Sequence, residues 1–171
     1  MKIYKYFLLH NKKLKPWIKY WLYIKSKVKK IVNLFVLPEA GTTSNVTYSI
    51  NEDGTINLIG RTPNSSAATF IIYKDLEESG IINGKTYTLS ASIQLTNGVE
   101  IRVECYNETS WQRHLLGATL SRTKQTITAV ANTTGTTRIR YMIYVAGGTS
   151  VNLENLLIKL EEAESWKNKN L

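Results

Sequence analysis

Residues 85–107 read KTYTLSASIQLTNGVEIRVECYN. Tyr87, Leu89, Ala91 and Ile93 alternate with Thr88, Ser90, Ser92 and Gln94. Val99, Ile101, Val103 and Cys105 then alternate with Glu100, Arg102, Glu104 and Tyr106. A two-residue period with one apolar face is the mark of half-buried strands. Between the two runs, Asn97-Gly98 is the strongest short turn signal in the chain, and it predicts a hairpin of 85–94 with 99–107. Cys105 falls in the apolar set, so it reads as a small buried hydrophobe rather than a nucleophile.

The same grammar extends in both directions. Runs 46–51 and 55–60 flank Glu52-Asp53-Gly54, a second hairpin signal. Run 67–74 is mostly apolar, and 112–120 and 125–132 are weaker strands. Runs 136–145 and 151–160 are joined across Gly147-Gly148. In the former, Ile139, Tyr141, Ile143 and Val145 oppose Arg138, Arg140, Met142 and Tyr144. Only 75–79 suggests a helical turn. About nine short strands with frequent turn signals predict an all-β, antiparallel sandwich or jelly roll.

The polar sets carry Arg, Glu and Tyr. If their strands share a sheet, that face is a candidate glycan-binding surface. Arg102, Glu104, Tyr106, Arg140 and Tyr144 would line it, with Trp111 from the loop that follows. Aromatic rings would stack on sugars, and Arg and Glu would bond their hydroxyls. The plainer reading is a solvated face held by cross-strand Arg–Glu pairs.

Charge divides the chain. Of 22 Lys and Arg in 171 residues, ten, all Lys, lie in residues 1–38, which contain no Asp or Glu. The remaining 12 face all 13 acidic residues of the chain, so the net +9 resides in the N-terminal segment. Composition shifts as well, from Lys, Trp and Tyr to Thr, Ser, Asn and Gly, across Leu37-Pro38-Glu39-Ala40-Gly41. Two parts follow: a basic segment at 1–38 and a β domain at 39–171.

Within the basic segment, 16–35 reads as an amphipathic helix opening on Pro16. Trp17, Tyr20, Trp21, Ile24, Val28, Ile31 and Phe35 recur at helical spacing, flanked or opposed by Lys19, Lys27, Lys29 and Lys30. The residues at 1–9 resemble a secretory leader, but Lys5 interrupts them and no small-residue cleavage site follows. No run is long and charge-free enough to span a bilayer. A Trp/Lys helix suits an anionic membrane surface, and Lys without Arg would bind nucleic acid by electrostatics alone. The reading favoured by the rest of the chain is docking on an acidic protein surface.

Three stretches carry a family resemblance: VTYSINEDGTINLIG at 46–60, GKTYTLS at 84–90, and GTSVNLENLLIKLEE at 148–162 followed by Ser165-Trp166. Together they resemble the carbohydrate-binding-module-like jelly roll of phage tail, baseplate and capsid-associated proteins, over about residues 41–166. The closing stretch departs from the family wording at Ala163-Glu164. The basic helix lies outside the resemblance. The resemblance implies a jelly roll located in the virion. It leaves room for a structural calcium at the rim, to which no residue of this sequence can be assigned.

Enzyme chemistry is poorly supplied. There is one Cys and there are two His, His10 and His114, with no metal-binding spacing among them. The adjacent pairs Glu77-Glu78 and Glu161-Glu162 do not make a hydrolytic dyad, because neighbours on a strand point to opposite faces. Four Asn-x-Ser/Thr sequons, at Asn45, Asn64, Asn107 and Asn132, match chance in so Asn- and Thr-rich a chain. No cofactor is implied. The expectation is a non-enzymatic virion protein, either a capsid decoration or a minor structural protein. Its basic helix would bind other virion proteins of head or tail. The alternative is an adhesion module for host-surface glycan, and membrane or nucleic acid rank lower as partners. A homo-oligomer would leave no trace in a single chain.

Overall fold

A computed structural model describes residues 32–106, 111–114 and 119–163, with 111–114 as backbone alone. The chain divides into two compact units, Met1–Val32 and Asn33–Leu171. The predicted helix lies outside the described residues except at its end, where 32–35 have no helical structure. Trp17, Lys19, Tyr20, Trp21, Ile24, Lys27, Val28, Lys29, Lys30 and Ile31 are likewise outside.

The second unit comprises β1 (Gly41–Thr43), β2 (Val46–Ile50), β3 (Ile56–Arg61), β4 (Ala68–Asp75), the short helix α1 (Leu76–Ser79), β5 (Thr86–Ala91), β6 (Val99–Tyr106), β7 (Trp111–His114), β8 (Thr126–Val130), β9 (Arg138–Val145), β10 (Ser150–Leu156) and β11 (Ile158–Glu162). They form three antiparallel sheets, ordered β1-β2-β3-β10, β11-β5-β8 and β4-β9-β6-β7. All three contribute to one apolar core. The alternation read from sequence assigns the faces of β5, β6 and β9: Tyr87, Leu89, Ile101, Val103, Cys105, Ile139, Tyr141, Ile143 and Val145 are all buried.

One predicted connection is corrected. The Asn97-Gly98 turn forms, with the Val99 N–H donating to Thr96 O at 3.0 Å, but it makes no hairpin. β5 pairs with β11 and β8, while β6 pairs with β9 and β7. Leu95, in the connection between the two strands, is 1% exposed and belongs to the core. Gly147-Gly148 joins β9 to β10 as expected, the two strands lying in different sheets. The hairpin at Glu52-Asp53-Gly54 does form, between β2 and β3.

The run at 151–160 is two strands. It breaks at Leu157, after Asn155 takes a left-handed φ of 54°. The Asn155 N–H donates to Asn57 Oδ1 at 3.0 Å, and Asn51 Nδ2 reaches Asn155 Oδ1 at 3.2 Å. Asn tolerates this conformation better than other non-glycine residues. This amide cluster fixes the point at which the chain leaves β3 and joins β5. The strand expected at 112–120 is confined to β7 among the described residues.

The β unit starts before the compositional boundary at 38. The Leu34 N–H donates to Leu160 O at 2.7 Å, and the Asn33 carboxamide binds Ile158 O at 2.8 Å and the Leu160 N–H at 2.9 Å. Residues 33–35 thus strap onto β11. Phe35, predicted to lie on the anchoring stripe, is 6% exposed in the core. Its ring meets Tyr141 edge-on, with centroids 5.4 Å apart. Apolar spacing alone cannot distinguish a residue finishing a helix from one entering a neighbouring core.

Tyr48 and Tyr141 are fully buried, and neither hydroxyl has a hydrogen-bond partner among the described residues. Burial raises both phenols well above the ordinary range, and nearby Tyr87 adds to the rise at Tyr141. A raised folded-state pKa leaves stability intact below about pH 10; above it only the unfolded chain sheds the proton, so stability falls. Tyr48→Phe and Tyr141→Phe are therefore expected to be neutral or stabilising by about 1 kcal/mol at neutral pH. Each should also reduce the alkaline loss by up to about 1.4 kcal/mol per pH unit. Urea unfolding at neutral and alkaline pH checks this, and a neutral-pH loss above about 1 kcal/mol would contradict it.

Candidate functional site

The outer face of the β4-β9-β6-β7 sheet gathers most of the predicted glycan-binding residues. Register sets them in rows. Thr69, Tyr144 and Glu100 align across β4, β9 and β6; Ile71, Met142 and Arg102 form the next row. Tyr73, Arg140 and Glu104 follow, then Asp75, Arg138 and Tyr106. The Trp111 backbone pairs with Tyr106, which extends the last row onto β7. The Trp111 side chain lies outside what the structure describes. Thr88 and Ser90, on β5, belong to a different sheet.

Charge on this face is arranged in pairs. Arg102 Nε donates to Glu100 Oε2 at 2.7 Å, and its Nη1 lies 4.0 Å from Glu104 Oε1. Glu104 also receives Arg140 through both Nε and Nη2. The Glu104 and Arg140 side chains are only 7% and 14% exposed, so this pair is largely desolvated. Arg138 reaches Asp75 at 3.5 Å, with both side chains more than half exposed. That outer pair contributes little, whereas the buried one is costly to break. The Arg102 guanidinium sits 4.9 Å from the Tyr144 ring centroid, a cation–π contact.

The result is a lattice of paired polar groups, which includes the cross-strand Arg–Glu pairing expected of a solvated face. Glu–Arg pairing fixes the guanidinium planes, and the Tyr73 ring, 46% exposed, stands beside them. Tyr73 offers aromatic surface on this face, while Glu104, Arg140 and Met142 at its centre are largely buried. Sequence reading missed Tyr73, because its partners Arg140 and Glu104 are 67 and 31 residues away in the chain. Only the β4–β9 register brings it in.

Elsewhere, Cys105 is buried, with Sγ 3.5 Å from Asn132 O. Burial pushes its thiol up, away from the thiolate a nucleophile requires. No group of three His, Cys, Asp or Glu able to hold a metal occurs among the described residues. Among those residues no helix is long and apolar enough to cross a membrane.

No family model and no curated protein matches this sequence. Among solved structures, one of accessory secretory proteins 1, 2 and 3 in Streptococcus pneumoniae aligns at 11% identity and a TM-score of 0.49, covering 80% of this chain and 97% of that one. A CBM4 carbohydrate-binding module aligns at 16% identity and a TM-score of 0.40, covering 68% of this chain and 79% of that one. Neither likeness is close enough to carry a function across.

Proposed function

We propose that this chain is a non-enzymatic virion structural protein of the phage type, a capsid decoration or minor structural protein. Its basic segment attaches to other virion proteins, and its jelly-roll body is displayed. The observation that carries this reading is the junction between the two parts. Ten Lys lie in residues 1–38, and the β unit is already bonded to β11 at Asn33 and plugged by Phe35. In sequence the lysine-rich stretch, Lys2 to Lys30, therefore ends two residues short of Asn33, and such a division of charge suits attachment by one part of the chain and display of the other. The motif resemblance at 46–60, 84–90 and 148–162 supplies the phage setting.

The test is binding of the full chain to particles that lack it. Replacing Lys19, Lys27, Lys29 and Lys30 by Gln should weaken binding about tenfold or more and flatten its salt dependence, since contacts between exposed charges are screened. Unchanged affinity would contradict attachment through these lysines.

A second reading, adhesion to neutral or charged host-surface glycan, is favoured by the Tyr73–Arg140–Glu104 lattice. Arg102→Ala, Tyr73→Ala and Trp111→Ala should each reduce retention on a glycan array by about tenfold, the effect of losing one stacking or charge-assisted contact. Array binding unaffected by all three would remove this face from the site.

A further inference from the structure

The described residues contain two Asn-Gly pairs, and the structure treats them differently. At Asn83-Gly84, Asn83 Oδ1 accepts the Thr133 N–H at 2.9 Å, and the Gly84 N–H donates to Ala131 O at 2.8 Å. Both groups that could react with one another are thus held apart by other partners. At Asn97-Gly98, the exposed Asn97 carboxamide and the Gly98 N–H have no hydrogen-bond partner among the described residues. Glycine is also required there: φ is 85°, and an added Cβ would stand 2.4 Å from Thr149 Oγ1. The pairing most prone to cyclise is thus enforced by packing, in a turn that leaves both partners unoccupied.

We propose that Asn97 is a selective site of spontaneous deamidation. The Gly98 amide nitrogen loses its proton to water or buffer base and attacks Asn97 Cγ. A new C–N bond closes a five-membered succinimide, and the Cγ–Nδ2 bond breaks with release of ammonia. Water then opens the ring at either carbonyl, giving aspartate or isoaspartate. The isoaspartyl product adds a methylene to the main chain beside Gly98, whose carbonyl accepts the Ala146 N–H at 2.8 Å. Ala146 O in turn accepts the Thr62 hydroxyl at 2.6 Å, and the same hydroxyl accepts the Thr149 N–H at 2.9 Å. Glu100 and Tyr144, which form one row of the outer sheet face, lie two residues from Gly98 and Ala146 respectively. Modification therefore places a new carboxylate and a strained turn at the margin of that face.

The test is incubation of the full chain in mildly alkaline buffer containing oxygen-18 water, followed by peptide mapping. Asn97 should convert about tenfold or more faster than Asn83, because each net hydrogen bond that must open first slows cyclisation by roughly that factor. Asn97→Gln should abolish the modified peptide, and a free peptide spanning 93–103 should deamidate at least as fast as the folded chain. Equal conversion at Asn83 and Asn97 would overturn the proposal. So would an intact Asn97 in the folded chain under conditions that deamidate the free peptide.

Discussion

Phe35→Ala should destabilise the Asn33–Leu171 unit by about 3–5 kcal/mol, the range for deleting a buried aromatic ring. Phe35 is 6% exposed and packs edge-on against Tyr141, itself fully buried. Removing the ring leaves a cavity beside a phenol whose hydroxyl has no partner among the described residues. In a domain of this size, such a loss lowers Tm by about 6–20 °C. Val32→Ala, at a position 55% exposed, is the matched control and should stay within about 0.5 kcal/mol of the parent. Thermal melts of the two variants decide the point. Equal melting temperatures would mean that the strap is not part of the core, and the boundary of the body would return to residue 38. The same argument dictates how the body is isolated: a fragment beginning at residue 39 lacks both Phe35 and the Asn33 bonds to β11.

Glu104→Ala should cost up to about 3–5 kcal/mol, since removing one partner of a desolvated pair weakens the compensation of the other charge. Arg140 would be that charge, with its side chain 14% exposed and its Nε and Nη2 directed at Glu104. Glu100→Ala is the contrast. Glu100 is a third exposed and its partner Arg102 a quarter, so its loss should cost about 1 kcal/mol or less. A Glu104→Met, Arg140→Leu double variant should recover much of the deficit, because well-packed apolar replacements of a buried pair are often neutral. Denaturant titrations arranged as a double-mutant cycle give the coupling directly. A Glu104→Ala loss below about 1 kcal/mol would show that water screens the pair and that this face is an ordinary solvated one.

The strands of this molecule were legible because alternation is a local property. Val99 to Cys105 and Ile139 to Val145 announce their buried faces residue by residue, and the structure buries each of them. Pairing was less legible. Asn97-Gly98 has the chemistry of a hairpin turn, yet it joins strands of different sheets, and Leu95 just before it is buried in the core. The break within 151–160 depends on Asn155, whose left-handed backbone is held by Asn57 from almost 100 residues earlier. No local pattern encodes such a contact. The same holds for the candidate site. Arg102, Glu104, Tyr106, Arg140 and Tyr144 were visible as outward residues of two strands. That β6 and β9 are neighbours, and that β4 adds Tyr73, follows only from register. Phe35 shows the converse error: its spacing fits a helical stripe, but its environment is set by Tyr141, which sequence cannot place beside it.

We propose that the basic segment attaches the chain and the β unit is displayed. Cosedimentation of the full chain and of Asn33–Leu171 with particles lacking the protein tests it most directly. The full chain should pellet with the particles in a salt-sensitive manner, while Asn33–Leu171, folded by its melting curve, should stay in the supernatant. Equal pelleting of the two would contradict it, and would place the assembly contact on the sheet surfaces instead.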